Sequence, residues 1–348
     1  MRPVDPRRPA RLLALVGAAL AACHAEGGAR IELGASTSDT SGVDHDDDDT
    51  DPAGDTSGSH DATGGSGETV GPGEGSSSGT PETTTGEPQW LGASPGCGSD
   101  PGAITSGVID VGGTERQFII ELPQGYDNTR PYPMVFGYHG LTENMSTAQA
   151  RFRISQEWQG QAIAVYPNGR PLAGFGGATG FEYGNPNGVD IDFFDALATA
   201  AANELCVDLD RIFVEGFSDG GYFTDSLMCY RAPYVRAAAF GGAGLGGTAT
   251  QHENCGGPVP AWGMHGMTDE VVPYHYGIDA RDFWIEENGC GQQTVPVEPT
   301  QFCAEYQGCE GENTMIWCDS DQGHWWVEDW ASPAAAAFFQ RFDSPNSP

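Results

Sequence analysis

From about residue 105 onward, short runs of β-branched and aromatic residues alternate with longer stretches of helix formers. Residues 116–122 (RQFIIEL) read as a strand closed by a Pro- and Gly-containing turn. Residues 133–138 and 161–166 are short apolar runs without polar alternation, the pattern of strands buried on both faces. Residues 192–205 carry a helical pattern that begins among acids, which suit the positive end of a helix. Residues 211–215 predict another strand, 220–230 a helix, 260–264 a strand and 279–287 a helix. Strands interleaved with helices in this way predict an α/β fold, a mostly parallel central sheet with helices on both faces. No internal repeat interrupts the pattern.

The first ninety residues follow different rules. Arg7, Arg8 and Arg11 precede an apolar run at 12–22 that is eleven residues long. A membrane-spanning helix needs about 20 such residues. A basic start, an apolar middle and small residues at the end instead predict a signal peptide over 1–22. Its last residues, Leu20-Ala21-Ala22-Cys23, resemble the bacterial lipobox and mark Cys23 for lipidation. Between residues 24 and 90, fifteen acidic side chains face Arg30 alone, and aromatic and aliphatic residues are scarce. Such a segment buries too little apolar surface to offset its conformational entropy, so 23–90 is expected to be a disordered acidic tether. Its Asp46–Asp49 run lacks the spacing of a calcium loop. That leaves 91–348 for one α/β domain. The formal net charge of −34 argues against nucleic acid as a partner. The expected location is extracytoplasmic: anchored to a bacterial membrane through Cys23, at the outer membrane or cell surface, or secreted. Eight cysteines follow Cys23, and behind an export signal they predict four disulfides rather than a zinc site, since no C-x-x-C pair occurs. The pairings expected are Cys309–Cys318 and Cys206–Cys229, the second on the premise that two helices end near each other below the sheet.

Gly-x-Ser-x-Gly occurs three times, at 75–79, 92–96 and 216–220. Only the third follows a predicted strand and opens a predicted helix. That context resembles the nucleophile elbow of the α/β-hydrolase fold, where a tight turn lifts the serine hydroxyl above the sheet. Ser218 is therefore the candidate nucleophile. In that fold the acid and then the histidine follow the serine in the chain. His24, His45, His60 and His139 precede it. His252 and His265 precede the candidate acid, and His275 follows it too closely, which leaves His324 as the candidate base. The acid is expected just beyond the strand that follows the nucleophile unit. Asp269 falls within that turn, with Glu270 as its rival. The oxyanion-hole donors expected are the backbone N–H of Asp219 and that of Leu141, or alternatively Gly140. His139 is expected to order that loop at the edge of the substrate site.

Four segments extend the resemblance: PMVFGYHG at 133–140, VDIDFF at 189–194, DRIFVEGFSDGG at 210–221 and HGMTDEVVP at 265–273. Residues 105–342 are similar to the bacterial and fungal esterase family of the feruloyl esterases and related poly(3-hydroxyalkanoate) depolymerases. EYQGCEG at 305–311, the Trp317-Cys318 pair and Gly323-His324 resemble the feruloyl-esterase branch. The resemblance implies a serine esterase acting on hydroxycinnamate esters of plant polysaccharide, with no metal or organic cofactor. Competing expectations are a hydroxyalkanoate or short-chain esterase, and a non-catalytic binding protein. Trp325-Trp326 departs from the branch. Trp325 either lines an aromatic acyl pocket or packs the histidine loop.

Overall fold

The computed structural model describes residues 92–247, 252, 255–297 and 302–342. The expected signal peptide, Cys23 and the expected tether lie outside the described residues. Within them the chain forms β1 (Val108–Val111), β2 (Thr114–Glu121), β3 (Tyr132–Tyr138), α1 (Met145–Phe152), α2 (Ile154–Glu157) and β4 (Ile163–Pro167). A small hairpin of β5 (Arg170–Leu172) and β6 (Ala178–Gly180) precedes α3 (Val189–Glu204), β7 (Val207–Phe217), α4 (Asp219–Tyr230) and β8 (Ala237–Gly241). β9 (Ala261–Gly266), α5 (Tyr274–Glu287), β10 (Thr294–Pro296), β11 (Cys303–Tyr306), β12 (Met315–Ser320) and α6 (Ala331–Gln340) follow.

The main sheet has the order β1-β2-β4-β3-β7-β8-β9-β12-β11-β10. The six strands from β4 to β12 are mutually parallel, and the pairs outside them are antiparallel. Strands β3, β4, β8 and β9 are buried along their whole length, which explains why their sequences show no polar alternation. One face is covered by α3, α4 and α5, which bury Phe193, Leu197, Phe223 and Trp284. The other is covered by α1, α2 and α6, through Phe152, Ile154, Phe338 and Phe339. Each buried side chain of this size contributes about 1.5–3 kcal/mol relative to exposure. The architecture is the α/β-hydrolase fold. The parallel centre brings the carboxyl ends of its strands to one edge of the sheet, where loops carry chemistry.

The disulfides differ from expectation. Cys206 pairs with Cys97, Cys229 with Cys255, Cys290 with Cys309 and Cys303 with Cys318. Cys206, just past α3, is claimed by the N-terminal segment, whose Ser94 N–H reaches the carbonyl of Val207 at 2.9 Å. Cys229 near the end of α4 meets the loop in which Gly256 N–H donates to its carbonyl at 2.7 Å. Cys318 lies opposite Cys303 in the antiparallel β11–β12 register, so Cys309 is left to staple the turn after α5. The sequence reading also omitted β8. Asp269 thus lies beyond the second strand after the nucleophile unit, not the first.

Candidate active site

Strand β7 ends at Phe217 and α4 starts at Asp219, so the whole change of direction falls on Ser218. Its backbone is at φ 57°, ψ −122°, a region L-residues rarely occupy. The neighbouring glycines make the turn possible. A Cβ on Gly216 would lie 2.1 Å from the Gly220 carbonyl oxygen, and one on Gly220 would lie 2.2 Å from that of Tyr138. The Ser218 N–H donates to the Gly241 carbonyl at 2.9 Å, which ties the turn to β8. Of the other two Gly-x-Ser-x-Gly runs, 75–79 lies outside the described residues. Ser94 is buried with its hydroxyl bound to Leu205 and Val207, holding backbone rather than facing a cleft.

His324 is brought to Ser218 by the loop after β12. Its Nε2 is 2.9 Å from Ser218 Oγ, and its Nδ1 is 2.7 Å from Asp269 Oδ2. Asp269 is buried, and its Oδ1 accepts the N–H groups of Val271 and Val272 at 2.8 and 2.9 Å. Burial by itself raises this carboxyl. Hydrogen bonds from His265 and His324, the imidazole charge and the Val272 N–H outweigh that and hold it well below the usual carboxylate range. The pattern Asp269–Nδ1 and Nε2–Ser218 fixes the tautomer in which Nδ1 carries the proton and Nε2 can receive one. Glu270 is exposed and so is His275, while His252 is buried against Asp225 at 2.7 Å.

At the end of β3 the chain turns through Gly140 and Leu141 beside Ser218. His139 is fully buried and does not line the cleft: its Nδ1 meets the Gly140 carbonyl at 2.8 Å, and its Nε2 accepts the Gly169 N–H at 2.9 Å. Burial lowers its pKa, so the ring orders backbone in its neutral form, and the expected place at the substrate edge is not where it lies. The Gly140 N–H is taken by Glu143 Oε2 at 2.8 Å. Of the two candidate donors on this loop, Leu141 is therefore the one left available. The Asp219 N–H opens α4, where first-turn N–H groups have no helical acceptor. The Asp219 side chain points into the interior, where its Oδ2 accepts the Phe181 N–H at 2.7 Å and its Oδ1 has no partner. Burial pushes this carboxyl up to about 8, with the Phe181 N–H opposing and Asp190 adding to the rise.

A cleft of about 470 Å³ opens over Ser218 and His324, with Leu141, Phe217 and Trp325 among its walls. Trp325 is 60% exposed on its rim, whereas Trp326 is buried beneath, its Nε1 donating to Ser332 at 3.0 Å. Of the two rings, Trp326 is the one packed inward, against Phe152, Phe217 and Trp262. Three contributors escaped the sequence reading. His265 is buried with Nε2 2.9 Å from the Val272 carbonyl and 3.3 Å from Asp269 Oδ2. Glu143 and Arg151 form a paired carboxylate and guanidinium on the cleft wall. One signal was present for the first: His265 stands four residues before the acid, near the end of the strand that leads into the acid's turn. Among the described residues, Cys229, His252 and Cys255 have metal-ligand proximity, but the two sulfurs are joined to each other.

The phospholipase/carboxylesterase family model matches residues 192–303, a stretch holding Ser218 and Asp269. Feruloyl esterase C of Emericella nidulans is 34% identical over 245 residues, covering 66% of this chain and 83% of its own. The probable feruloyl esterase C of Aspergillus clavatus is 31% identical over 242 residues, covering 66% and 82%. Among solved structures, the acetyl xylan esterase from Aspergillus awamori superposes with a TM-score of 0.52 over 65% of this chain and 94% of its own. At 15% identity that likeness is one of fold.

Proposed function

Since the chain belongs to the esterase family of the α/β-hydrolase superfamily that includes these feruloyl esterases, and is a carboxylic ester hydrolase, we propose that it cleaves hydroxycinnamoyl esters of plant polysaccharide through an acyl-enzyme on Ser218. The observation that carries this reading is the continuous hydrogen-bonded chain from Ser218 through His324 to Asp269 at the floor of an open cleft. In the first half-reaction His324 Nε2 takes the Ser218 hydroxyl proton as Oγ attacks the ester carbonyl. The Leu141 and Asp219 N–H groups hold the oxyanion, and His324 passes its proton to the departing sugar alcohol. Water then repeats the sequence on the acyl-enzyme and releases the acid. Asp269, ionised throughout, holds the imidazole and balances its transient charge. None of these steps calls on a metal or organic cofactor.

Trp325 supplies the aromatic surface expected of a site for a planar phenylpropenoyl group or an adjoining sugar ring. The four disulfides, together with the apolar run ending at Cys23, support an extracytoplasmic enzyme held to a membrane by a lipidated cysteine and spaced from it by residues 24–90. Comparing turnover of methyl ferulate with that of soluble hydroxybutyrate oligomers tests the substrate class. Ferulate release at least tenfold faster than oligomer cleavage is expected; cleavage of the oligomers alone overturns the assignment.

A further inference from the structure

We propose that Glu143 and Arg151 form the positioning unit of the oxyanion hole, an inference that rests on the serine-esterase reading above. The argument begins with peptide geometry. In a trans peptide the carbonyl of one residue and the N–H of the next point in opposite directions from one plane. The Gly140 carbonyl is held by two donors, His139 Nδ1–H at 2.8 Å and the Glu143 N–H at 3.2 Å. That grip turns the Leu141 N–H the opposite way, out of the backbone network. Glu143 closes the clamp from the other end, since its Oε2 accepts the Gly140 N–H at 2.8 Å. One side chain and its own backbone thus fix both polar groups of the residue preceding the donor.

The turn needs this grip. Thr142 sits at φ 70°, the left-handed region that residues with a Cβ rarely adopt. A Thr142 N–H bond to the Thr179 carbonyl at 2.8 Å helps to hold it. Glu143 is in turn fixed by a bidentate fork, Arg151 Nη1 to Oε2 and Nη2 to Oε1, both at 2.7 Å. The Arg151 guanidinium lies 5.0 Å above the ring of Phe217, and that ring lies 4.8 Å from the ring of His324. Phe217 immediately precedes the nucleophile. One arginine therefore braces the oxyanion loop against the elbow and the base together. An ordinary surface ion pair contributes little, but here the carboxylate carries a backbone N–H bond as well as the guanidinium.

Neither side chain touches the reacting atoms, so its removal is expected to act through the oxyanion. In the full-length protein, Glu143→Ala is expected to lower kcat about ten- to hundredfold with KM within threefold. This is less than the about 10²–10³ lost on deleting a donor outright. Affinity for an aryl trifluoromethyl ketone, whose serine adduct carries the same oxyanion, is expected to fall in step. Glu143→Gln keeps an oxygen for the Gly140 N–H and is expected to recover most of kcat. If Glu143→Ala does not fold, Arg151→Gln carries the test: a carboxylate released from its fork gives the same joint loss of kcat and ketone affinity. Wild-type kcat in the folded variants overturns the proposal, as does a loss confined to KM or an unchanged ketone affinity. Ser218→Ala separates the two readings. If it is inert while Glu143→Ala is fully active, only the positioning role fails; if it retains turnover, the serine mechanism fails first.

Discussion

Asp269 and Asp219 are both buried carboxyls, one behind His324 and the other next to Ser218 in the chain, and their surroundings drive them in opposite directions. Asp269 faces two imidazoles and two N–H groups and stays ionised. Replacing it by Asn keeps the shape but favours the wrong imidazole tautomer, so Asp269→Asn is expected to cut kcat about 10⁴-fold, measurable as initial rates on a soluble aryl ester. Asp219 faces one N–H and no cation, and its carboxyl moves from the ordinary 3.8 to about 8. Between those values the folded protein holds a proton that the unfolded chain has released, so this group makes stability fall as pH rises from about 4 to 8. Asp219→Asn removes that dependence. The melting temperature of the wild type is expected to drop relative to the variant across this window; a gap that stays constant with pH contradicts the assignment. Ser218, Asp269 and His324, which the structure brings together, could be named without coordinates because the elbow motif fixes the serine and the order serine, acid, histidine then removes most of the other histidines. Glu143 and Arg151 could not, since their roles come from how the loop after β3 meets α1, which no local pattern encodes, and His265 offered only its place four residues before the acid.

At the scale of elements, the decisive piece is the β7–α4 turn, where geometry rather than chemistry constrains the sequence. Gly216→Ala would put a methyl 2.1 Å from the Gly220 oxygen and 2.4 Å from Thr224 Oγ1. The nearest of these is backbone, so the turn itself must move. The variant is expected to lose at least about 2 kcal/mol of stability, within the range that overpacking and backbone strain cost, and most activity in its folded fraction; urea unfolding and the aryl-ester assay read both. The sequence displayed β3, β4 and β7 clearly because they are rich in β-branched and aromatic residues. β8 was hidden: Ala237, Ala238 and Ala239 are weak strand formers, and only burial between β7 and β9 makes them extended. α1 and α6 were likewise hidden, because their short apolar faces become meaningful only against the sheet they cover.

For the molecule as a whole, four disulfides join segments 15 to 109 residues apart. Cys97–Cys206 closes the longest loop and pins the N-terminal segment beside β7. In the chain-entropy picture a loop of that length restricts the unfolded state by about 4.7 kcal/mol. Cys97→Ala/Cys206→Ala is therefore expected to lower stability by about 2–5 kcal/mol without changing the ester preference, as followed by urea melts and assays below the transition. Their number was legible from the even count of cysteines after Cys23, but their pairing depends on which loops meet, and both expected pairings failed for that reason.

The whole account turns on a covalent intermediate, and trapping it is the most direct test. Methyl ferulate mixed with enzyme and quenched in acid within the first turnovers should leave a feruloyl group on the peptide containing Ser218, seen by mass spectrometry and absent from Ser218→Ala. Steady hydrolysis with no adduct on that peptide, or turnover that survives in Ser218→Ala, would contradict the account.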